Sequence, residues 1–204
     1  MNAKSTTRVE RAPHSVSTLA KTTQWDDAML VSRALASDPF AENVIFRQHA
    51  PYLLNLAARL TRRMSDSDDV VQETFLIAFR KMENLDNPEA LRPWLIRILI
   101  SQIKKSFRIR RLKAFFGMDY GRDDATLSLL AVHDVRPDLR VELREIDAVL
   151  KRTPSEWRIT WMLHRIEGMS IHETARAVRR SVATVKRYVT AVDVTIQSNR
   201  RGAR

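Results

Sequence analysis

The sequence predicts an all-α protein: two small helical domains joined by an acidic flexible linker, the C-terminal one a helix-turn-helix. Three observations carry this reading. Glycine is scarce, 4 in 204 residues, against a usual level of about 7%, which disfavours tight-turned β folds and Gly-rich nucleotide loops. Apolar residues recur at helical spacing from Asp26 onward. Residues 114–138, with Gly117, Gly121, Pro137, five aspartates and only two arginines, interrupt that spacing once.

Residues 1–25 are rich in Ser, Thr and Lys without a sustained apolar period and read as a flexible N-terminal extension. The first domain, 26–113, opens with Ala28, Leu30, Val31, Ala34 and Leu35 behind Asp26 and Asp27, whose charges suit a helix N-terminus. A second helix is expected over 41–62, with Ile45, Phe46, Leu53, Leu56, Ala57 and Leu60 turned inward and Pro51 bending it. In a third, over 67–83, Val71, Phe75, Ala78, Phe79 and Met82 form one stripe. Asn84 to Pro93 reads as a loop, followed by a very apolar helix from Trp94 into a basic tract. Beyond the linker, the domain 139–195 resumes with Leu143, Ile146, Val149 and Leu150, then Ile159, Met162, Leu163 and Ile166; residues 196–204 are a basic tail.

The most informative stretch is Gly168 to Val192. Ser170-Ile171-His172-Glu173 is a capping box that starts a helix of about two turns. A break at Arg179-Arg180-Ser181 follows, with Ser181 a good cap for the next helix. There Val182, Val185, Val189 and Val192 make an apolar seam, leaving Thr184, Lys186, Arg187, Tyr188 and Thr190 on or beside the other face. A helix with that basic face can enter the major groove. An ordinary helical hairpin is the alternative, and the usual turn glycine is replaced by Arg179.

Charge points to a polyanion. The net charge is +11, and the excess sits in two blocks: residues 41–115 hold 14 basic and 8 acidic groups, and residues 157–204 hold 10 and 3. Between them, residues 116–156 are acidic overall, with 6 basic and 9 acidic groups. Arg97, Lys104, Lys105, Arg108, Arg110, Arg111 and Lys113 follow one another without an intervening acid. Clustered cations gain affinity for nucleic acid by releasing counterions; a solvated basic face or attraction to anionic lipid is the alternative from charge alone. Arg97, Lys104, Lys105 and Arg108 are the candidates for DNA backbone contact beside the loop. Arg180, Ser181, Thr184, Lys186 and Arg187 are those of the helix-turn-helix. Trp94 reads as core, and Phe107 fits either core or a stacking surface.

Other chemistries find no support. There is no cysteine, which removes disulfides, thiolate metal sites and cysteine nucleophiles and suits a reducing, cytoplasmic setting. No apolar run approaches the roughly 20 residues of a membrane span, and no signal-peptide pattern is present. Asp66, Asp68 and Asp69 lack the glycine and distal glutamate of a calcium loop. No catalytic residue, metal site or cofactor is expected, and the protein is read as no enzyme.

Taken in order, these segments resemble a bacterial extracytoplasmic-function (ECF) sigma factor of the sigma-70 superfamily, over about Asp26 to Thr195. The strongest element is Asp66-Ser67-Asp68-Asp69-Val70-Val71-Gln72-Glu73-Thr74-Phe75-Leu76-Ile77-Ala78-Phe79. It is joined by His49-Ala50-Pro51, Pro93-Trp94-Leu95-Ile96-Arg97-Ile98, Glu167-Gly168-Met169-Ser170 and Ala183-Thr184-Val185-Lys186. The resemblance implies a promoter-specificity subunit that binds core RNA polymerase at its clamp coiled coil and flap, recognises promoter DNA and melts it. It assigns Asp69, Gln72, Glu73 and Phe75 to the helix docking on the clamp, although Asp66, Asp68 and Asp69 also simply favour a helix N-terminus. It gives the loop 84–93 and the following helix to promoter opening. The linker is either a segment threading the polymerase cleft or a passive tether. An anti-sigma factor is a further partner of such proteins. The alternative function is a free-standing helix-turn-helix regulator that binds DNA without polymerase.

Overall fold

The computed structural model describes residues 25–62, 64–115 and 137–202. All regular structure among them is helical: α1 (Asp27–Leu35), α2 (Pro39–Thr61), α3 (Met64–Arg80), α4 (Leu91–Phe115), α5 (Pro137–Arg152), α6 (Ser155–Arg165), α7 (Ile171–Val178) and α8 (Val182–Gly202). Short 3-10 turns at Met82–Asn84 and Pro88–Ala90 lead from α3 into α4.

Local chemistry sets the boundaries. Asp26 caps α1 by accepting from the Ala28 N–H at 3.3 Å, and Asp38 caps α2 from Phe40 at 2.9 Å, with Pro39 fixing the first turn. α2 continues through Pro51, which has no N–H to return to the preceding turn, and stops at Arg62 in the left-handed region (φ 63°, ψ 18°). The N-terminal half packs Leu30, Ile45, Leu53, Leu56, Leu60, Phe75, Leu95, Leu99 and Ile103 into one core. Each such side chain contributes about 1.5–3 kcal/mol of burial. The C-terminal half closes Leu150, Ile159, Leu163, Val178, Val185, Val189 and Val192 over α5–α8.

Three boundaries differ from expectation. Trp25 belongs to the first domain, packing edge-on against Phe40 with ring centroids 6.0 Å apart. The expected linker is helical at both ends, since α4 runs to Phe115 and α5 begins at Pro137; its middle, and residues 1–24, lie outside the described residues. Residues 196–202 of the basic tail are the end of α8, and Ile196 is buried on the valine seam one turn beyond Val192. Three side chains expected inside, Leu35, Phe46 and Ile166, are exposed. Leu35 ends α1, Phe46 stands beside Ile45 on α2 and Ile166 lies just past the end of α6, positions where helical spacing alone leaves the facing direction open.

The two halves are in contact rather than held apart. α7 lies against α4, and α6 meets α2. Ion pairs cross the seam between them beside apolar contacts, and the buried side chains of both halves form one hydrophobic cluster.

Candidate nucleic-acid and docking surfaces

α4 divides its sequence between two jobs. Leu91, Trp94, Leu95, Leu99, Ile100 and Ile103 enter the core, with Trp94 only 6% exposed. Arg97, Ser101, Lys104, Lys105 and Arg108 recur at intervals of four, three, one and three, which on a helix is a single face. That face forms one wall of a cleft of about 520 Å³; Ala177, Val178, Arg179 and Arg180 form the other. Of the second set of cations expected to touch DNA, Arg180 meets the α4 set here, whereas Lys186 and Arg187 do not line the cleft.

The α7–turn–α8 segment is built as its sequence specifies. Ser170 Oγ accepts from the Glu173 N–H at 3.2 Å, and Glu173 accepts from the Ser170 N–H at 2.8 Å. These bonds also hold the Glu173 carboxyl below its ordinary pKa, the Ser170 hydroxyl contributing most. α7 ends at Arg179 in the left-handed conformation (φ 55°, ψ 53°). The Arg180 N–H reaches back to the Ala175 carbonyl at 3.0 Å and the Arg179 N–H to Arg176 at 3.4 Å. That is a Schellman turn, here with arginine where glycine is usual. Ser181 Oγ then caps α8 by accepting from the Thr184 N–H at 3.2 Å, and the two hydroxyls lie 2.9 Å apart. Ser181 and Thr184 therefore serve the helix start as well as any DNA role. Val185, Val189 and Val192 are buried, while Lys186 and Arg187 are exposed. Tyr188 stacks on Trp157, rings 5.1 Å apart.

Of the residues assigned to polymerase docking, Asp69 and Gln72 are exposed on α3, and Glu73 stands beside them, 4.0 Å from Arg80. Phe75 is a correction. It is 3% exposed, wedged between Phe46 and Phe79 at 4.8 and 5.9 Å, and no partner can reach it there. Leu76, half exposed, follows Gln72 by four positions and is the apolar side chain on that edge. Its signal in the sequence was an apolar residue off the Val71–Met82 stripe. Asp66 is engaged elsewhere, pairing with Arg110 at 2.6 Å.

Glu156, which the sequence did not single out, organises the seam. Lys104 Nζ donates to its Oε1 at 3.0 Å and to the Val178 carbonyl at 2.7 Å. Arg180 donates to both carboxylate oxygens, Nε at 2.9 Å and Nη2 at 3.0 Å. The Arg180 hydrogen bonds, aided by Lys104, hold the Glu156 carboxyl below its usual range against the opposing effect of burial. Tyr52 and Arg59 both donate to Glu167 across the same seam, and Arg92 lies 3.9 Å over the Tyr52 ring. Arg158 is the exception. Its Nε is buried without a hydrogen-bond partner, and burial, reinforced by Arg62 and Arg110 nearby, pulls its pKa down to about 10.

Comparison with known proteins agrees with this architecture. The family model Sigma-70 region 2 matches residues 45–113, from within α2 almost to the end of α4. The chain is 30% identical over 164 residues to the RNA polymerase sigma factor NccH of Alcaligenes xylosoxydans xylosoxydans, covering 80% of this chain and 88% of that one. It is 31% identical over 163 residues to the ECF RNA polymerase sigma factor SigM of Mycobacterium tuberculosis, covering 78% and 77%. Its fold is similar to that of the sigma factor RpoE solved in complex with the anti-sigma factor NepR from Bartonella quintana. That match has a TM-score of 0.59 at 19% identity, covering 78% of this chain and 96% of that one.

Proposed function

The chain belongs to the ECF sigma factors of the sigma-70 family, and on that premise we propose how its surfaces divide the work of starting transcription. It binds core RNA polymerase, recognises duplex promoter DNA through α8, and opens the downstream element through the loop 84–93 and α4. The exposed edge of α3, with Asp69, Gln72, Glu73 and Leu76, meets the clamp coiled coil. Lys186 and Arg187 face the duplex because the valine seam turns them outward. Arg97, Lys104, Lys105 and Arg108 follow the backbone of the opened strand, where cations are favoured whatever the base. The chain performs no bond chemistry of its own; nucleotide addition belongs to the polymerase.

The observation that carries this reading is the placement of the two basic surfaces. One lies on the last helix of the region-2 match and the other on the second helix of a helix-turn-helix. A free-standing regulator needs only the second. Transcription in vitro with purified core polymerase tests the reading, with start sites mapped over a promoter library. Starts at a shared sequence element that depend on both chain and core are expected. Specific DNA binding without core, and no directed starts with it, would favour the free-standing regulator.

A further inference from the structure

Lys104 comes from the surface proposed to open DNA and Arg180 from the helix-turn-helix, yet both end on one carboxylate. Glu156 presents two anionic oxygens 3.0 Å or less from three donors, the arrangement in which paired phosphate oxygens meet Lys and Arg. Around it Arg97, Lys105, Arg108 and Arg179 line the cleft with no ion pair among the described residues. The adjoining groove sets Asp86, Asn87, Pro93 and Trp94 of the loop and α4 against Met169, Glu173 and Arg176 at α7. The closed arrangement therefore turns the α4 face towards the end of α7 and Arg180, while Lys186 and Arg187 stay exposed on α8.

We propose that Glu156 is an internal stand-in for a DNA phosphate: it holds one cation from each DNA-facing surface and keeps the two halves closed until a nucleic-acid backbone takes those cations over. The assignment rests on the DNA roles proposed above for Lys104 and Arg180. The seam is suited to such exchange. The Lys104–Glu156 pair that crosses it is partly exposed, so salt and polyanions weaken it, and like charges crowd its cleft. Arg158 adds a partly buried cation whose Nε is buried without a hydrogen-bond partner, which opposes closure. A phosphate chain supplies many anionic oxygens where Glu156 supplies two, so it displaces the carboxylate by charge rather than by sequence.

The absence of cysteine allows a direct test. Glu83→Cys and Ser198→Cys, both at exposed positions of opposite halves, are labelled with a fluorescence donor and acceptor in the full chain. Energy transfer is then followed against salt and against a 20-base-pair duplex without polymerase. Transfer should fall with either. Glu156→Gln should open at about fivefold lower duplex concentration, the effect of losing a partly exposed ion pair, whereas Glu145→Gln should not. Lys104→Met should lower transfer in the absence of DNA, which reports the latch from the other half. Melting curves by circular dichroism confirm that each variant is folded. If Glu156→Gln and Lys104→Met both retain the parent's transfer, or if saturating duplex leaves transfer unchanged, the latch is wrong. Directed transcription with core would survive that result. Loss of directed transcription with an intact transfer response would instead overturn the function and leave the latch standing.

Discussion

Arg62 and Asp147, 85 residues apart, join the two halves by a two-pronged ion pair, Nη1–Oδ1 at 2.9 Å and Nη2–Oδ2 at 3.3 Å. Asp147 is buried and Arg62 nearly so, at 6% and 12% exposed. Arg62 can reach α5 because it ends α2 in the left-handed conformation, which swings it out of the helical path. Lys151 adds a third, exposed charge, 3.3 Å from Asp147.

Breaking such a pair from one side strands a buried charge. Asp147→Ala should destabilise the chain by about 3–5 kcal/mol, whereas Lys151→Ala should change it by under about 1 kcal/mol. Urea denaturation of the two variants beside the parent measures both. Equal, small losses would mean that Arg62 finds water without cost.

Arg158 is expected to behave in the opposite sense. Its pKa is depressed to about 10, mainly by burial, so the folded state disfavours the charged form that the unfolded chain carries. That penalty is full below about pH 10 and fades as pH rises from there towards the ordinary arginine range. Arg158→Met should therefore stabilise the fold at neutral pH, on the order of 1–3 kcal/mol, with the gain narrowing above about pH 10. Thermal melts at pH 7 and pH 10.5 check the sign. A destabilised variant at both would show that the contact with the Phe107 ring, 5.9 Å away, outweighs desolvation.

The docking edge separates from the core beneath it. Asp69→Lys with Glu73→Lys should weaken binding to core polymerase and leave the melting temperature within a few degrees of the parent. Phe75→Ala should cost about 3–5 kcal/mol of stability, as removal of a buried aromatic does. A competition assay for core, paired with melting curves, distinguishes them. Unchanged core affinity in the double variant would remove the docking assignment.

Much of this was legible in the sequence because period and capping are local. The capping box at Ser170–Glu173, the valine seam and the Val71–Met82 stripe all follow from residues within a few turns of one another. The same stripe places Phe75 inside, and there the period is a better guide than the resemblance that put it on the docking surface. Glu156 was not legible. In the sequence it is one acid in a helix's first turn; its importance comes from Lys104 and Arg180, 52 and 24 residues away, and only the packing of α7 on α4 brings them together.

The duplex-binding role proposed for α8 makes a quantitative expectation. Lys186→Ala with Arg187→Ala should lower the slope of log affinity against log salt by about 2 if each cation neutralises one phosphate, near 0.9 apiece on duplex DNA. Duplex binding titrated at several salt concentrations gives the slope. If one of the pair reads a base edge, the slope should fall by only about 1 and discrimination should drop by about 1–3 kcal/mol at that base. An unchanged slope and unchanged preference would place DNA on another face of α8.

Permanganate footprinting of a promoter found by start-site mapping tests the central claim most directly, with chain and core polymerase added separately and together. Reactive, unpaired thymines are expected in the downstream element only when both are present. Lys104→Ala with Arg108→Ala should diminish that reactivity on duplex template while supporting transcription from a pre-melted one. Strand opening by core alone, or no opening with both together, would contradict that claim.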